Sequence, residues 1–375
     1  MAEPSGSKGS SGGPPEAFLD GLAALCPALL GALDALERAQ RRLHPPALPM
    51  LRRALAPVHQ RLEQAASAFR TTPRTAEADE LANPLLRSAD HAALALRLLI
   101  ESAAPAESIA RVLAALSNHC RAQEAVFPLR KVLPAVNRFF LEPGVHERVE
   151  SLDPELSDDA PFSVGLHNAE NDLEQRGGFS LYVPESYDPS EPRPLVVALH
   201  GGSGHGRDFL WTWLREARSR RCLLLAPTAR ASTWSFNGPD VDAKSLQAMV
   251  DFVTKRWRVD SERMLLTGLS DGATYALLRG LQSDVPFTAL APVSGVLHPA
   301  NFANGNLERA RARRVYLVHG RLDWMFPIEI ARMAHEELRK AGADVTFREI
   351  DDLSHTYPRE ENARILSWLG VDAAA

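Results

Sequence analysis

The stretch LLTGLSDGATYAL, residues 265–277, decides how this chain is read. An apolar run ends just before Gly268, Ser270 sits between Gly268 and Gly272, and ATYALLRGL then resumes with helical periodicity. Glycines two positions either side of a serine permit a turn tight enough to present that side chain at the end of a strand. The helix beginning just beyond offers unused backbone N–H groups and the positive end of its dipole. The same G-x-S-x-G spacing recurs at GSSGG, residues 9–13, but Ser11 lies in a Gly/Ser/Pro tail with no strand or helix pattern beside it. Context therefore makes Ser270 the candidate nucleophile.

Working outward, short β-rich runs alternate with helical ones. GGFSLYVPESY, PLVVALHGG, CLLLAPTA, RMLLTGLS, FTALAPVSG, RVYLVHGRLD and DVTFREIDDLSH read as strands. FLWTWLREARSRR, DAKSLQAMVDFVTKRW, GATYALLRGLQ, IEIARMAHEELRKAG and REENARILSWL read as helices. This alternation predicts an α/β domain over residues 163–375, built on a doubly wound, mostly parallel sheet. VYLVHGRLDWMFP carries Asp323 just past the end of one strand, and DDLSHTYP places His355 in the loop after the last. A nucleophilic serine needs such a base and such an orienting carboxylate on the same edge of the sheet. Asp351 and Asp352 are competing carboxylates, ranked lower because they stand so near His355 in the chain. LHGGSGHG, residues 199–206, follows a strand directly, so its backbone amides can face a developing oxyanion. The amides of Gly202 and Asp271 are the expected donors.

These motifs resemble those of α/β-hydrolase-fold serine esterases, of the phospholipase/carboxylesterase group and the related polyester-depolymerase-like esterases, over about residues 163–370. HGGSG is similar to the family's oxyanion loop, GLSDG to its nucleophile elbow, HGRLDWMFP to its acid segment and SHTYP to its histidine segment. The chain order Ser, Asp, His is the one that fold uses. The resemblance implies a cofactor-free acyl-enzyme mechanism with Ser270, Asp323 and His355 as the triad and a small-molecule ester, thioesters included, as substrate. Asp271 and Ala273 depart from the family, where glutamine or asparagine and a second glycine are more usual. Because the base must be neutral to accept a proton, activity should be lost on acidification.

The segment SGVLHPANFANGNLERARARR leaves no room for a helical lid, so an open catalytic domain is expected. Trp211, Trp213, Trp234, Phe236, Trp324 and Phe326 fall in or beside loops at the sheet's carboxyl edge. Of these, Trp234, Phe236, Trp324 and Phe326 are candidates for an acyl pocket, with packing of the domain's own edge as the alternative.

Ahead of this domain the chain changes character, and every tryptophan and tyrosine lies beyond residue 180. Residues 1–15 read as a flexible tail. Four Ala/Leu/Arg-rich amphipathic runs then predict an all-α helical bundle over 16–142, with Pro45, Pro46, Pro73, Pro84 and Pro105 between helices. The acidic, proline-bearing 143–162 reads as a linker. His44, His59, His91 and His119 lack the Glu-x-x-His pattern of di-metal bundles, so no metal site is expected. The bundle's role is left open among a cover over the site, a homo-oligomer contact and a partner surface.

A formal net charge of −5 with 45% hydrophobic and 24% charged residues gives no basic surface for nucleic acid. The run GLAALCPALLGAL, flanked by Asp20 and Asp34, reads as too short for a membrane span. The N-terminus has no signal-peptide pattern, and three scattered cysteines fit a reducing compartment, so a cytoplasmic protein is expected. Two alternatives stand beside the esterase: a serine peptidase of prolyl-oligopeptidase type, and a non-catalytic hydrolase-fold protein that acts through its helical half.

Overall fold

The computed structural model describes residues 15–102, 105–154, 163–236 and 238–373. Residues 1–14 of the expected tail and 155–162 of the expected linker lie outside them. The chain divides into two compact units, one of residues 1–36 and 52–129, the other of 37–51 and 130–375.

The first unit is helical. Its helices are α1 (Glu16–Arg41), α2 (Leu48–Arg70), α3 (Ala76–Ile100) and α4 (Pro105–Val126), with the end of α1 and the start of α2 grouping with the second unit. Leu25, Leu29 and Leu33 of α1, Leu62 and Phe69 of α2, and Leu85 and Leu96 of α3 are fully enclosed. Thr75 caps α3 by accepting from the Ala78 amide, with Glu77 and Asp79 in the first turn where the dipole favours them. The Ser88 hydroxyl donates to the Ala122 carbonyl at 2.7 Å, tying α3 to α4. Pro84 does not separate helices as expected: it lies inside α3, and Pro27 and Pro57 lie inside α1 and α2. At 26 residues, α1 is also longer than the apolar run marked in the sequence. By length and composition alone it is long and apolar enough to cross a membrane, with mean hydropathy 1.6 over its apolar window, of which 39% is buried in the protein.

The second unit is built on an eight-stranded sheet: β1 (Gly165–Ala169), β2 (Phe179–Val183), β3 (Arg193–Leu199), β4 (Leu223–Pro227), β5 (Val259–Leu269), β6 (Ala289–Val293), β7 (Arg314–Gly320) and β8 (Asp344–Ile350). Their order is β1-β2-β4-β3-β5-β6-β7-β8; β1 and β2 are antiparallel, and every pair from β4 to β8 is parallel. This is the doubly wound, mostly parallel sheet that the alternation predicts. The chain before it forms two short helices, α5 (Pro134–Phe139) and α6 (Val149–Leu152). Crossovers run through α7 (Gly206–Ser219), α8 (Asp242–Arg256), α9 (Asp271–Gly280) and, after the four-residue α10 (Ala300–Ala303), α11 (Ile328–Lys340); α12 (Glu360–Trp368) closes the unit. The central strands are apolar on both faces, β4 and β6 being buried throughout, as a sheet covered by helices requires.

Two features position the site. The connection after β3 runs to one side of the sheet and that after β5 to the other, so the carboxyl ends of these neighbours form the crevice where such sheets bind ligands. The register pairs Leu199 with Gly268 and Gly320 with Ile350, bringing the loops after β3 and β5 together, and likewise those after β7 and β8. The acidic stretch 143–162 is not wholly irregular: it holds α6 and contributes Asp153, whose carboxylate pairs with Arg218 at 2.7 Å in a buried cluster with Arg130 and Glu185.

Candidate active site

Ser270 stands where β5 turns into α9, with φ 56° and ψ −116°. That conformation is strained for a residue with a side chain and is typical of a serine raised on a sharp strand-to-helix turn. Its amide bonds the Val293 carbonyl at 2.9 Å, and its carbonyl takes the Thr274 amide, which starts the helix. The flanking glycines are required by close backbone approach. A Cβ on Gly272 would lie 2.4 Å from the Leu199 carbonyl oxygen, and one on Gly268 would lie 2.6 Å from the Gly272 carbonyl carbon. Any larger residue would push β5 away from β3.

His355 Nδ1 lies 2.8 Å from Asp323 Oδ2, and His355 Nε2 lies 3.0 Å from Ser270 Oγ. A carboxylate can only accept, so the ring proton sits on Nδ1 and the bare Nε2 accepts from the serine hydroxyl. Asp323 is held in turn: Oδ1 accepts from the amides of Met325 at 3.0 Å and Phe326 at 2.8 Å. Burial opposes its charge, but the hydrogen bonds from His355 and the Phe326 amide outweigh that and hold its carboxyl below the ordinary aspartate range. Asp351 and Asp352, the competing carboxylates, instead engage Arg321 and Arg41.

The loop after β3 comes up beside Ser270. Neither the Gly202 amide nor the Asp271 amide has an acceptor among the described residues, and Asp271 is the first residue of α9, where such amides have no helical partner. The Asp271 carboxylate accepts from the Thr233 hydroxyl at 2.5 Å and lies against Gly202: a Cβ there would sit 2.5 Å from Asp271 Oδ2.

Several supports of this edge were not singled out in the sequence. His200 is buried, accepts the Ala229 amide on Nε2 at 3.1 Å and bonds the Gly201 carbonyl through Nδ1 at 2.7 Å; burial pulls its pKa from 6.5 down to about 3. His319, also buried, bonds the Phe326 carbonyl at 2.8 Å and lies 3.4 Å from Asp323 Oδ2; burial lowers its pKa as well. The Arg176 guanidinium donates to the carbonyls of Gly204, Ala229 and Ala231, joining two loops of the edge. His200 stands within the quoted glycine loop and His319 at the end of the strand that opens the quoted acid segment, so membership of a motif was the only signal available for either.

The aromatic candidates divide. Trp234 is buried in the core, stacked on Tyr275 at 5.3 Å, with its indole N–H bonded to the His200 carbonyl. Phe236 packs, partly buried, against the same core with its ring 5.9 Å from that of His298. Phe326 stands edge-on to the His355 ring at 5.3 Å, and Trp324 is half exposed beside the exposed Leu322 and Met325. Trp211 and Trp213 lie in α7 and are buried, Trp211 against Phe140 at 5.9 Å and Trp213 against Tyr357 at 6.4 Å. Between β6 and β7 the only α-helix among the described residues is the four-residue α10. Among the described residues no group of three His, Cys, Asp or Glu side chains is arranged to hold a metal ion.

Residues 235–371 match the model of a family described as Phospholipase/Carboxylesterase. Feruloyl esterase C of Emericella nidulans is 30% identical over 142 residues, covering 35% of this chain and 51% of that protein. Probable feruloyl esterase C of Aspergillus terreus is 26% identical over 162 residues, 40% of this chain and 56% of that one. The chain thus spans about half the length of the curated relatives it matches. Among solved structures, a thermostable esterase has a TM-score of 0.46 at 22% identity, over 55% of this chain and 62% of that one. The fluorophosphonate-binding serine hydrolase FphF of Staphylococcus aureus has 0.45 at 14% identity, over 54% of this chain and 96% of that one. By its sheet order the C-terminal part of the chain has the α/β-hydrolase fold, and over residues 235–371 it is similar to the phospholipase/carboxylesterase family.

Proposed function

We propose that the protein is a serine carboxylic-ester hydrolase that works through an acyl-enzyme on Ser270. The observation that carries this reading is the continuous path from Asp323 through His355 to Ser270, with contacts of 2.8 and 3.0 Å. His355 Nε2 takes the hydroxyl proton as Oγ attacks the acyl carbonyl, and Asp323 stabilises the imidazolium that forms. The amides of Gly202 and Asp271 meet the oxygen that becomes negative. The tetrahedral intermediate collapses as His355 passes the proton to the leaving alcohol, and water repeats the cycle to release the acid. Thioesters fit the same steps, since the chemistry requires only an acyl carbonyl and a leaving group that His355 can protonate.

No cofactor enters these steps, and the cytoplasm is the proposed site of action on the sequence grounds given above. The name of the curated relatives adds feruloyl esters to the substrates worth trying. The prolyl-oligopeptidase alternative gains no support, because no strand precedes Gly165 among the described residues.

The test is labelling with a fluorophosphonate probe, wild type against Ser270→Ala. Label in the wild type alone is expected, followed by turnover of p-nitrophenyl and feruloyl esters. Label that persists in Ser270→Ala, or a folded wild type that takes none, would overturn the proposal.

A further inference from the structure

The loop that carries His355 is held by a segment some 310 residues earlier in the chain. Residues 37–51 group with the hydrolase unit although the amphipathic pattern assigns them to helices. Within that unit, residues on both sides of His355 are tied to the last turn of α1 and the residues after it. Immediately before it, the Ser354 hydroxyl pairs with His44 Nδ1 at 3.3 Å; immediately after it, the Thr356 hydroxyl donates to the Gln40 carbonyl at 2.8 Å. Further out, the Arg41 guanidinium bonds Asp352 at 2.8 Å and also Glu360, and Glu37 bonds Arg359 at 2.9 Å while taking both arms of the fork of Arg215 in α7 at 3.0 Å.

We propose that Glu37–His44 is a positioning element for His355, fixing where the imidazole stands between Ser270 and Asp323. The proposal rests on the serine-hydrolase reading above. The loop's backbone bonds are few: Leu353 to Ile350 at 3.4 Å, Thr356 to Ser354 at 2.9 Å, and the Leu322 amide to the Leu353 carbonyl at 2.9 Å. Besides the Arg321 pair with Asp351 and the Tyr357 hydroxyl's bond to Asn362, the side chains next to His355 are anchored on this distant segment. Asp352 is 77% exposed, so its pair with Arg41 adds little to stability in water. What the pair fixes is a direction of approach, and a misplacement of about 1 Å at a proton-transfer site costs about 100-fold in rate. The Gln40 carbonyl, in the last turn of α1, accepts the Leu43 amide at 3.2 Å, and its second lone pair takes the Thr356 hydroxyl.

Arg41→Ala tests the proposal in the full chain, with kcat referred to the fraction of sites titrated by a p-nitrophenyl ester burst. The expected result is a fall in kcat per active site of about tenfold or more, KM within about twofold, and partial recovery in Arg41→Lys. The rate of fluorophosphonate labelling of Ser270 should fall in parallel, since it uses the same base. Asp352→Ala removes the same bond at an exposed position and carries the test if Arg41→Ala does not fold. An unchanged kcat per active site overturns the proposal, as does a loss of activity that lies wholly in the number of active sites, which is what a merely structural contact would give. Ser270-dependent labelling of the wild type reads the underlying assignment separately. Its absence would remove that assignment and this proposal together, whereas a labelled wild type with unaffected variants removes the proposal alone.

Discussion

The two units of this chain bury different things. Among the described residues the helical unit encloses Ser88, His119 and Gln123 beside its Leu, Ala and Phe side chains, and little else that is polar. The hydrolase unit encloses His200, Thr267, Ser270, His319, Asp323, Ser354 and Thr356 at or beside one edge of its sheet. A buried polar group costs free energy unless it is bonded, and each bond fixes a direction. The first unit is therefore organised by volume and the second by geometry. Substitutions should separate the two: one class costs stability without changing turnover per site, the other costs turnover without unfolding the chain.

The largest expected effects lie on the second side. Ser270→Ala should lower esterase turnover by about 10⁴-fold or more while the thermal transition stays near that of wild type. Asp323→Asn should cost nearly as much, about 10⁴-fold, because an amide no longer dictates that the His355 proton sits on Nδ1. Turnover assays beside thermal scans read both. A large drop in melting temperature in either variant would break the separation, since it would make the edge a source of stability.

Leu96→Ala is the counterpart in the helical unit. Leu96 is fully enclosed in α3, so its truncation should cost about 2–5 kcal/mol of unfolding free energy. Denaturant titration reads the loss, and kcat per titrated active site should not move. A reduced rate per site would show that packing in the helical unit reaches the hydrolase edge.

The elements that local pattern could show were those whose contacts are local. From β2 through α12, an apolar run of strand length or a helical period marks each element except the four-residue α10, and Gly268 with Gly272 marks the turn between β5 and α9. β1 escaped because Gly165–Ala169, at the sheet's edge, carries a histidine and an asparagine and is only partly buried. Pro84 reads locally as a break, yet a long helix whose buried face is packed keeps its course past a missing N–H. Trp211, Trp213 and Trp234 could be placed near loops by number but not by direction, and all three point into packing. The bracket around His355 had no local signal, because Arg41 and Asp352 are 311 residues apart and, although Asp352 stands in the quoted histidine segment, Arg41 stands in no motif that could pair it with Asp352.

The next effect is smaller and depends on pH. His200 is neutral in the folded protein down to about pH 3, whereas in the unfolded chain it takes up a proton near 6.5. Between those values the unfolded state binds more protons, so stability is full above about 6.5 and falls as the pH drops toward 3. One such group changes stability by at most about 1.4 kcal/mol per pH unit, or about 2 kcal/mol between pH 6.5 and 5. His200→Gln can still accept the Ala229 amide and donate to the Gly201 carbonyl, but it cannot titrate. Denaturant midpoints for the two proteins should converge as the pH is lowered through this window. Parallel curves would mean that His200 takes up its proton in the fold as readily as in the unfolded chain.

The smallest expected effect concerns the carboxylate that sits where the family more often has an amide. Asp271 Oδ2 is bonded to the Thr233 hydroxyl and lies against Gly202, so a negative charge borders the place where an acyl oxygen would become negative. Asp271→Asn keeps an acceptor for Thr233 and removes only the charge. Two unit charges at such a solvent-accessible site interact by about 1 kcal/mol, so the variant should gain about fivefold in kcat/KM for p-nitrophenyl hemisuccinate relative to p-nitrophenyl butyrate. Taking the ratio cancels any change in oxyanion stabilisation, which both esters share. Added salt should shrink the gain, because charges that face solvent are screened over about 10 Å at 0.1 M. A ratio unchanged at low and high salt would mean that Asp271 acts through its bond to Thr233 alone, holding the loop at Gly202 in place, and that the acyl chain leaves the site in another direction.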